Sequence, residues 1–267
     1  MTRARRAAAI ALGAVYLVSL GASSLPHFDY ARQFRDCVTA APSLGHPLGT
    51  DELGRDSLAR LLHASRVSLL LAPAAALLAT AIAVAVGGVA GYRGGAWDAL
   101  AMKTTDVVLS LPWLFLLLIA RAWLPLTAPP WQTLVITFAL LGCSGWAAPA
   151  RVIRGAIREL RASDALLSAK ACGYSPWRVA VVHVLPGLRA ILLAQFLILI
   201  PAFILAEGNL GVLGLGVGEP LPSWGSLLRD LVNVPEVMER PWMLAPLAVF
   251  AAVTGCFYLL TSSGESI

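Results

Sequence analysis

Residues 163–187 read SDALLSAKACGYSPWRVAVVHVLPG. This is the longest polar interruption among the later apolar stretches, and it reads as two short helices joined by an elbow. Ser163 supplies an N-cap, and Asp164 places a negative charge in the first turn, where the helix dipole favours it. Gly173 ends that helix in the left-handed conformation that other residues resist. Ser175 caps the next helix, and Pro176 takes its first position, where a missing N–H does no harm. Pro186 stops the second helix. A rigid helix–elbow–helix set between membrane spans predicts a docking surface.

The rest of the chain makes the flanking segments membrane spans. Of 267 residues, 58% are hydrophobic and only 13% charged, against about 25% charged in a soluble domain. The composition is that of an all-α polytopic membrane protein. Its net charge of +5 sits in loops between apolar runs, as membrane orientation requires. No basic aromatic module or groove-binding motif accompanies it, so nucleic acid is not an expected partner. Cys37, Cys143, Cys172 and Cys256 lack paired spacing, and His27, His46 and His63 form no ligand set. No disulfide framework, metal or cofactor is expected. No nucleophile–base set or HExxH motif points to an enzyme.

Charge-free runs mark six spans, each near the 20 or so residues that cross a bilayer as helix. They are Ala7–Leu25, Val67–Gly91, Ala99–Ala120, Thr133–Ala150, Arg189–Ala206 and Trp242–Thr261. The first follows Arg3, Arg5 and Arg6 and is long for a signal peptide, so it reads as an uncleaved anchor. Residues 1–65 form this anchor and an extracytoplasmic segment; residues 66–262 form one membrane domain. The loop 151–188 carries Arg151, Arg154, Arg158, Arg161, Lys170 and Arg178 against Glu159 and Asp164 only. The outer loops offset their basic residues with acids. Positive-inside therefore puts this loop and both termini in the cytoplasm.

Several residues invite a function and carry a plainer reading too. Residues 46–56, HPLGTDELGRD, mix the residues of tight turns. Asp51 or Asp56 can pair with Arg55 or Arg60. The stretch reads either as a capped turn into an interfacial helix, Ser57–Ser65, with Leu58, Leu61 and Leu62 on lipid and Arg60 in water, or as a lip that contacts a partner. Glu207–Trp224 is too rich in glycine to be one helix. It reads as a gate-lining segment or as an exposed loop, with Trp224 at the interface. Asp106, inside the third span, either pairs with Lys103 or lines a pathway. Pro112 and Pro201 predict kinks. The chain has no GxxxxGK[ST] loop, so ATP by that route requires another polypeptide.

The loop at 151–188 resembles the cytoplasmic coupling loop of ABC importer permeases, in which an EAA triplet precedes a glycine and a later Leu-Pro. Aligned on Gly173, the triplet falls on Leu167, Ser168 and Ala169, and the Leu-Pro on Leu185-Pro186; the motif's glutamate is absent. The lead-in matches at Trp146, Ala150-Arg151 and Arg154-Gly155. His46, Pro47, Gly49, Asp51, Gly54, Arg55 and Asp56 resemble the signature before the second span in the C-type subunits of dipeptide, oligopeptide and nickel permeases. Glu207, Gly214, Gly216 and the run Pro222-Ser223-Trp224-Gly225 are similar to their loop after the fifth span.

The resemblance implies a type I ABC importer-like fold in the bacterial inner membrane. It implies cytoplasmic ATPase subunits docked at Asp164, Leu167, Ser168, Ala169, Gly173 and Pro186. It further implies a second homologous permease subunit, an extracytoplasmic substrate-binding protein, and a gate or pathway near Asp106, Glu207, Gly214 and Gly216. Di- or oligopeptide is the implied cargo, with nickel or another small solute open. An ion-coupled secondary transporter is the rival class, but it would need more intramembrane acids and an internal repeat.

Overall fold

In lipid there is no water for backbone N–H and C=O groups, so each apolar run must close its hydrogen bonds within one helix. The computed structural model describes residues 3–22, 29–122, 129–163 and 172–261. Among the described residues, regular structure is helical apart from two isolated antiparallel bridges, Gln33 with Arg55 and Thr50 with Asp56. The helices are α1 (Arg3–Ala22), α2 (Ser57–Arg93), α3 (Gly95–Ser110), α4 (Trp113–Ala122), α5 (Pro130–Ser144), α6 (Ala147–Arg161), α7 (Pro176–Val179), α8 (Leu185–Val212), α9 (Trp224–Arg229), α10 (Val234–Glu239) and α11 (Ala245–Thr261).

Among the described residues, five stretches are long and apolar enough to cross a bilayer: Arg3–Gly21, Ser57–Arg93, Pro130–Arg161, Val182–Val212 and Pro241–Thr261. The expected third crossing, Ala99–Ala120, is broken instead of kinked. Pro112 has no N–H to give, and it forces the residue before it out of the α region. Leu111 is accordingly extended, with φ −81° and ψ 127°, and leaves pieces of 16 and 10 residues, α3 and α4.

Helix α2 is longer than its charge-free core. Its 37 residues extend about 55 Å at 1.5 Å per residue. Pro73 lies inside it and deprives the Leu69 carbonyl, four residues back, of its ladder partner. The Tyr16 hydroxyl of α1 replaces that partner, donating to the Leu69 oxygen at 2.6 Å.

The chain divides into two compact units, one of Met1–Pro73, Arg121–Phe138 and Ile200–Ile267, the other of Ala74–Ala120 and Ala139–Leu199. In the first, α1 packs along α11, and Trp224 of α9 meets Phe250 of α11 edge-on, ring centroids 5.3 Å apart. In the second, α3 packs on α6. Its core joins Ala83, Ala150, Ile153, Ile157, Val179, Val184 and Leu188. Helix α6 buries Ala147, Ala150, Ile153 and Ile157, one stripe at helical spacing, and turns its arginines outward. Glycines on α2 let α6 approach its backbone. A Cβ on Gly87 would overlap the Ala150 carbonyl, and one on Gly91 would lie 2.9 Å from the Arg154 oxygen.

The first helix of the expected elbow, at 164–171, lies outside the described residues; the turn from Gly173 onward forms as its residues dictate. Gly173 has φ +75°. The Ser175 Oγ accepts from the Arg178 N–H at 3.3 Å, and Pro176 opens α7. Pro186 does not stop the chain. A π-helical turn, Ala180–Val184, already widens the ladder, and Pro186 sits second in α8, where its missing N–H breaks nothing further. Glu207 is likewise inside α8, not in a loop. The helix ends at Val212 with Gly214 at φ +77°. The Gly214 N–H donates to Gly211 O and the Leu215 N–H to Leu210 O, each at 2.9 Å, a Schellman closure.

Candidate functional site

The turn residues at 46–56 build a rigid lip within the first unit. Pro47 and Leu48 occupy the middle of a turn closed by the Gly49 N–H on the His46 carbonyl at 2.9 Å. Gly49 has φ +69°, and a Cβ there would lie 2.5 Å from the Ala40 oxygen; only glycine fits. Gly54 is also left-handed, at φ +72°. Asp51 Oδ1 accepts from the N–H groups of Leu53 and Arg55 at 2.9 and 2.8 Å. Asp56 Oδ1 accepts from the Ala59 N–H at 2.8 Å, capping α2. Its other oxygen pairs with His46 Nδ1 at 2.7 Å.

The lip's charges are answered from 160 residues away. Asp51 Oδ2 takes Arg55 Nε at 2.7 Å and also Arg60. Glu219 takes both guanidiniums, Arg55 through Nη1 and Arg60 through Nη2, the latter at 3.1 Å. Arg60 is therefore not in water: it is 3% exposed, and Leu61 is buried as well. The reading of Ser57–Ser65 as a separate interfacial helix is corrected on both counts, since these residues are the first turns of α2. Burial alone would raise the Asp51 acid, but hydrogen bonds from Arg55 and the charges of Arg60 and Arg55 outweigh it and hold it below the usual carboxylate value. Burial works against the Arg55 charge, but hydrogen bonds to Glu219 and Asp51 outweigh it and raise its pKa. The Asp230 carboxylate has no hydrogen bond from a described residue, and the Arg60 charge only partly offsets its burial. Desolvation pushes it up to about 6.

Elsewhere in the first unit, a buried carboxylate holds together glycine-lined backbone. Glu207 is 1% exposed, and its Oε2 accepts from the Gly225 N–H at 3.2 Å. A Cβ on Gly225 would lie 2.7 Å from the Glu207 carbonyl. A Cβ on Gly211 would overlap the backbone of Gly225, and one on Gly216 would lie 2.7 Å from the Gly211 Cα. Ser223 and Ser226 fix the entry to α9 with a reciprocal capping box. Trp224 is not at an interface: it is buried, and its Nε1 donates to Ser65 Oγ at 3.0 Å.

In the second unit the outward arginines of α6 meet the acids of α3. Asp98 accepts from Arg154 through Nε and Nη2, the latter at 2.7 Å, and from Arg158 Nη2 at 2.5 Å. Asp106 pairs with Arg151, not with Lys103, and both partners are exposed within this chain. Arg161 lies over the Tyr92 ring at 5.8 Å and reaches the Gly91 carbonyl at 3.3 Å. The helix that leads into the 164–171 stretch is thus fixed to α3 by ion pairs and to α2 by close backbone approach.

Residues 83–264 match the profile of the binding-protein-dependent transport system inner membrane components. The chain belongs to this family. Among its relatives, the dipeptide transport system permease protein of Bacillus subtilis (strain 168) is 33% identical over 81% of this chain and 65% of its own length. The oligopeptide transport system permease protein of the same strain is 31% identical over 90% and 76%. That of Escherichia coli (strain K12) is 33% identical over 94% and 82%. The permease is a multi-pass inner membrane component of a transport system, with the helical fold expected of it.

Of the permease residues singled out in the sequence, Asp164, Leu167, Ser168 and Ala169 lie outside the described residues. Gly173 stands in the elbow, and Pro186 in the first turn of α8. His46 joins Asp56, and Asp51 joins Arg55; Glu207 joins Gly225, while Gly216 meets Gly211. Asp98, Arg60, Glu219 and Tyr16 were not singled out as site residues. For Asp98 a signal existed: Arg151, Arg154, Arg158 and Arg161 form a helical ladder that needs acids opposite.

Proposed function

We propose that this chain is the permease subunit of an ATP-driven importer of di- or oligopeptides. It forms half of the translocation pathway with a second homologous membrane subunit, and separate cytoplasmic ATPase subunits supply the energy. What carries this reading is the likeness, over 81–94% of the chain, to proteins named as dipeptide and oligopeptide permeases. The positive-inside rule sets both termini and the loop 151–188 in the cytoplasm. The lip at 46–56 then faces outward, where a substrate-binding protein delivers cargo.

Coupling follows from the contacts of α6. The ATPase pair closes on ATP and moves the segment containing Asp164, Leu167, Ser168, Ala169 and Gly173, with Pro186 fixing its return. Such closure shifts the permease only if the loop binds the two ATPase states with different affinity. Because α6 is ion-paired to α3 and packed on the α2 glycines, displacement of the loop is carried into two helices at once. Asp106, exposed within this chain, faces the pathway or the second subunit. Glu207, Gly214 and Gly216 set the loop that gates it.

The test is a mild-detergent pull-down of the tagged chain from its native membrane, followed by peptide uptake into proteoliposomes. A P-loop ATPase, a second permease and ATP-dependent uptake are expected. A chain that emerges without an ATPase and takes up peptide on an ion gradient would overturn the proposal.

A further inference from the structure

The first unit contains a cleft of about 430 Å³ lined in part by the lip, within the 300–1,000 Å³ range of small-molecule sites. Its charges do not all cancel within the chain. Asp51 and Glu219 answer Arg55 and Arg60, and Glu236 answers Arg240 at 2.6 Å. That leaves three lining side chains, the carboxylates of Glu52 and Asp230 and the guanidinium of Arg229. None of the three side chains makes a hydrogen bond or ion pair with any described residue. The Nε of Arg60, a residue 3% exposed that also lines the cleft, has no partner either. Leu227, Leu231, Trp242 and Met243 supply an apolar wall.

An unpaired carboxylate and an unpaired guanidinium beside an apolar wall are complementary to a small zwitterion. We propose that this cleft binds a short peptide, with its α-ammonium against Asp230, its carboxylate against Arg229 and its side chains on the wall. The inference rests on the peptide reading above and adds a cargo site on the permease itself. Neutral built pairs on either side leave the attraction to Arg229 and to the carboxylates of Asp230 and Glu52. A charge-assisted contact at each end orients the ligand, and free termini are what set a short peptide apart from an internal stretch of chain.

The assembled transporter in lipid nanodiscs, without its binding protein, is titrated with labelled dialanine, N-acetyl-dialanine and, as competitor, n-butylammonium. Dialanine is expected to bind saturably, N-acetyl-dialanine about tenfold more weakly, and n-butylammonium to compete. Asp230→Asn should weaken dialanine about tenfold while hardly changing N-acetyl-dialanine, and Asp230→Glu should keep the preference. Unchanged dialanine affinity in Asp230→Asn, an equal acetylation penalty in both proteins, or no saturable binding to the wild type overturns the site. Dialanine uptake by the same preparation with its binding protein separates the two levels. Uptake without cleft binding overturns the site and leaves the importer. Absence of any peptide uptake overturns the peptide reading and this site with it.

Discussion

Two adjacent glycines on α2 make a controlled test of how α6 is held. A Cβ at Gly87 would overlap the Ala150 carbonyl, whereas one at Gly88 meets only the Ile157 Cδ1, at 3.9 Å. Either Gly→Ala change gains about 1 kcal/mol of helix propensity, so the propensity term cancels between them. Gly88→Ala should therefore be neutral or stabilising. Gly87→Ala forces one backbone away from another, and overpacking of this kind costs about 1–3 kcal/mol. The clash is with a carbonyl, not a side chain that can rotate, which puts the difference near 2 kcal/mol. In a chain of this size that is roughly 4–8 °C in midpoint. The assay is heating of the purified protein in mild detergent, with the folded fraction read by size exclusion. Coincident melting of the two variants would refute the claim that α6 touches α2 through Gly87.

Further expectations follow from the polar contacts. Tyr16→Phe should cost about 1–3 kcal/mol, the cost of a buried carbonyl left unpaired. In Pro73→Ala the restored N–H reaches Leu69, so the same tyrosine change should cost much less; equal costs in the two backgrounds would remove Tyr16 from this role. Asp98→Arg should abolish uptake while leaving ATP hydrolysis, and Arg154→Asp on top should recover part of it; no recovery in the swapped pair would mean the ion pair does not hold α6. The lip acids should titrate with opposite signs. Asp51, held low in the fold, stabilises above about pH 4 and loses this as pH falls through its lowered value. Asp51→Asn should thus be less stable than wild type at pH 7 and equal to it in strong acid. Asp230, raised to about 6, disfavours the folded state once ionised, so Asp230→Asn should be more stable at pH 7, the gap closing as pH falls below about 4. Melting curves in which both variants shift in the same direction would contradict this assignment.

Five of the six expected spans were legible because lack of charge over 20 residues has one reading in a bilayer; the third, Ala99–Ala120, is broken at Pro112. The elbow at Gly173, Ser175 and Pro176 was legible because caps and left-handed glycines are local. What escaped the sequence depended on distant partners. Arg60 looked wet because the local acid Asp51 alone gives no sign of burial; Glu219 completes its pairing from 159 positions along the chain. Asp106 was matched to Lys103 by proximity, while its partner, Arg151, is 45 residues away. Glu207 was placed in a loop because glycines follow it. Those glycines serve close backbone contact with Gly225 as well as the helix end, and composition does not separate the two uses. Pro186 was read as a stop because a π-turn that absorbs its missing N–H leaves no mark in composition.

The prolines in the two long helices bear on how such a permease can flex. Both α2 and α8 run from one compact unit into the other, and each does so at a proline. Pro73 is the last residue of its segment in the first unit, and Pro201 lies just past the boundary at Leu199. A helix bends where a ladder bond is absent, so these are the cheapest points for α2 and α8 to change shape. The difficulty is the carbonyl that each proline orphans, since an unpaired one in an apolar surround costs as much as a lost hydrogen bond. At α2 that difficulty is met from another helix, by the Tyr16 hydroxyl on Leu69. A rotating hydroxyl can follow a moving carbonyl in a way that a backbone N–H cannot. The arrangement therefore keeps α2 pliable at Pro73 without exposing a polar group to lipid. It also gives α1 a part in setting how freely α2 bends.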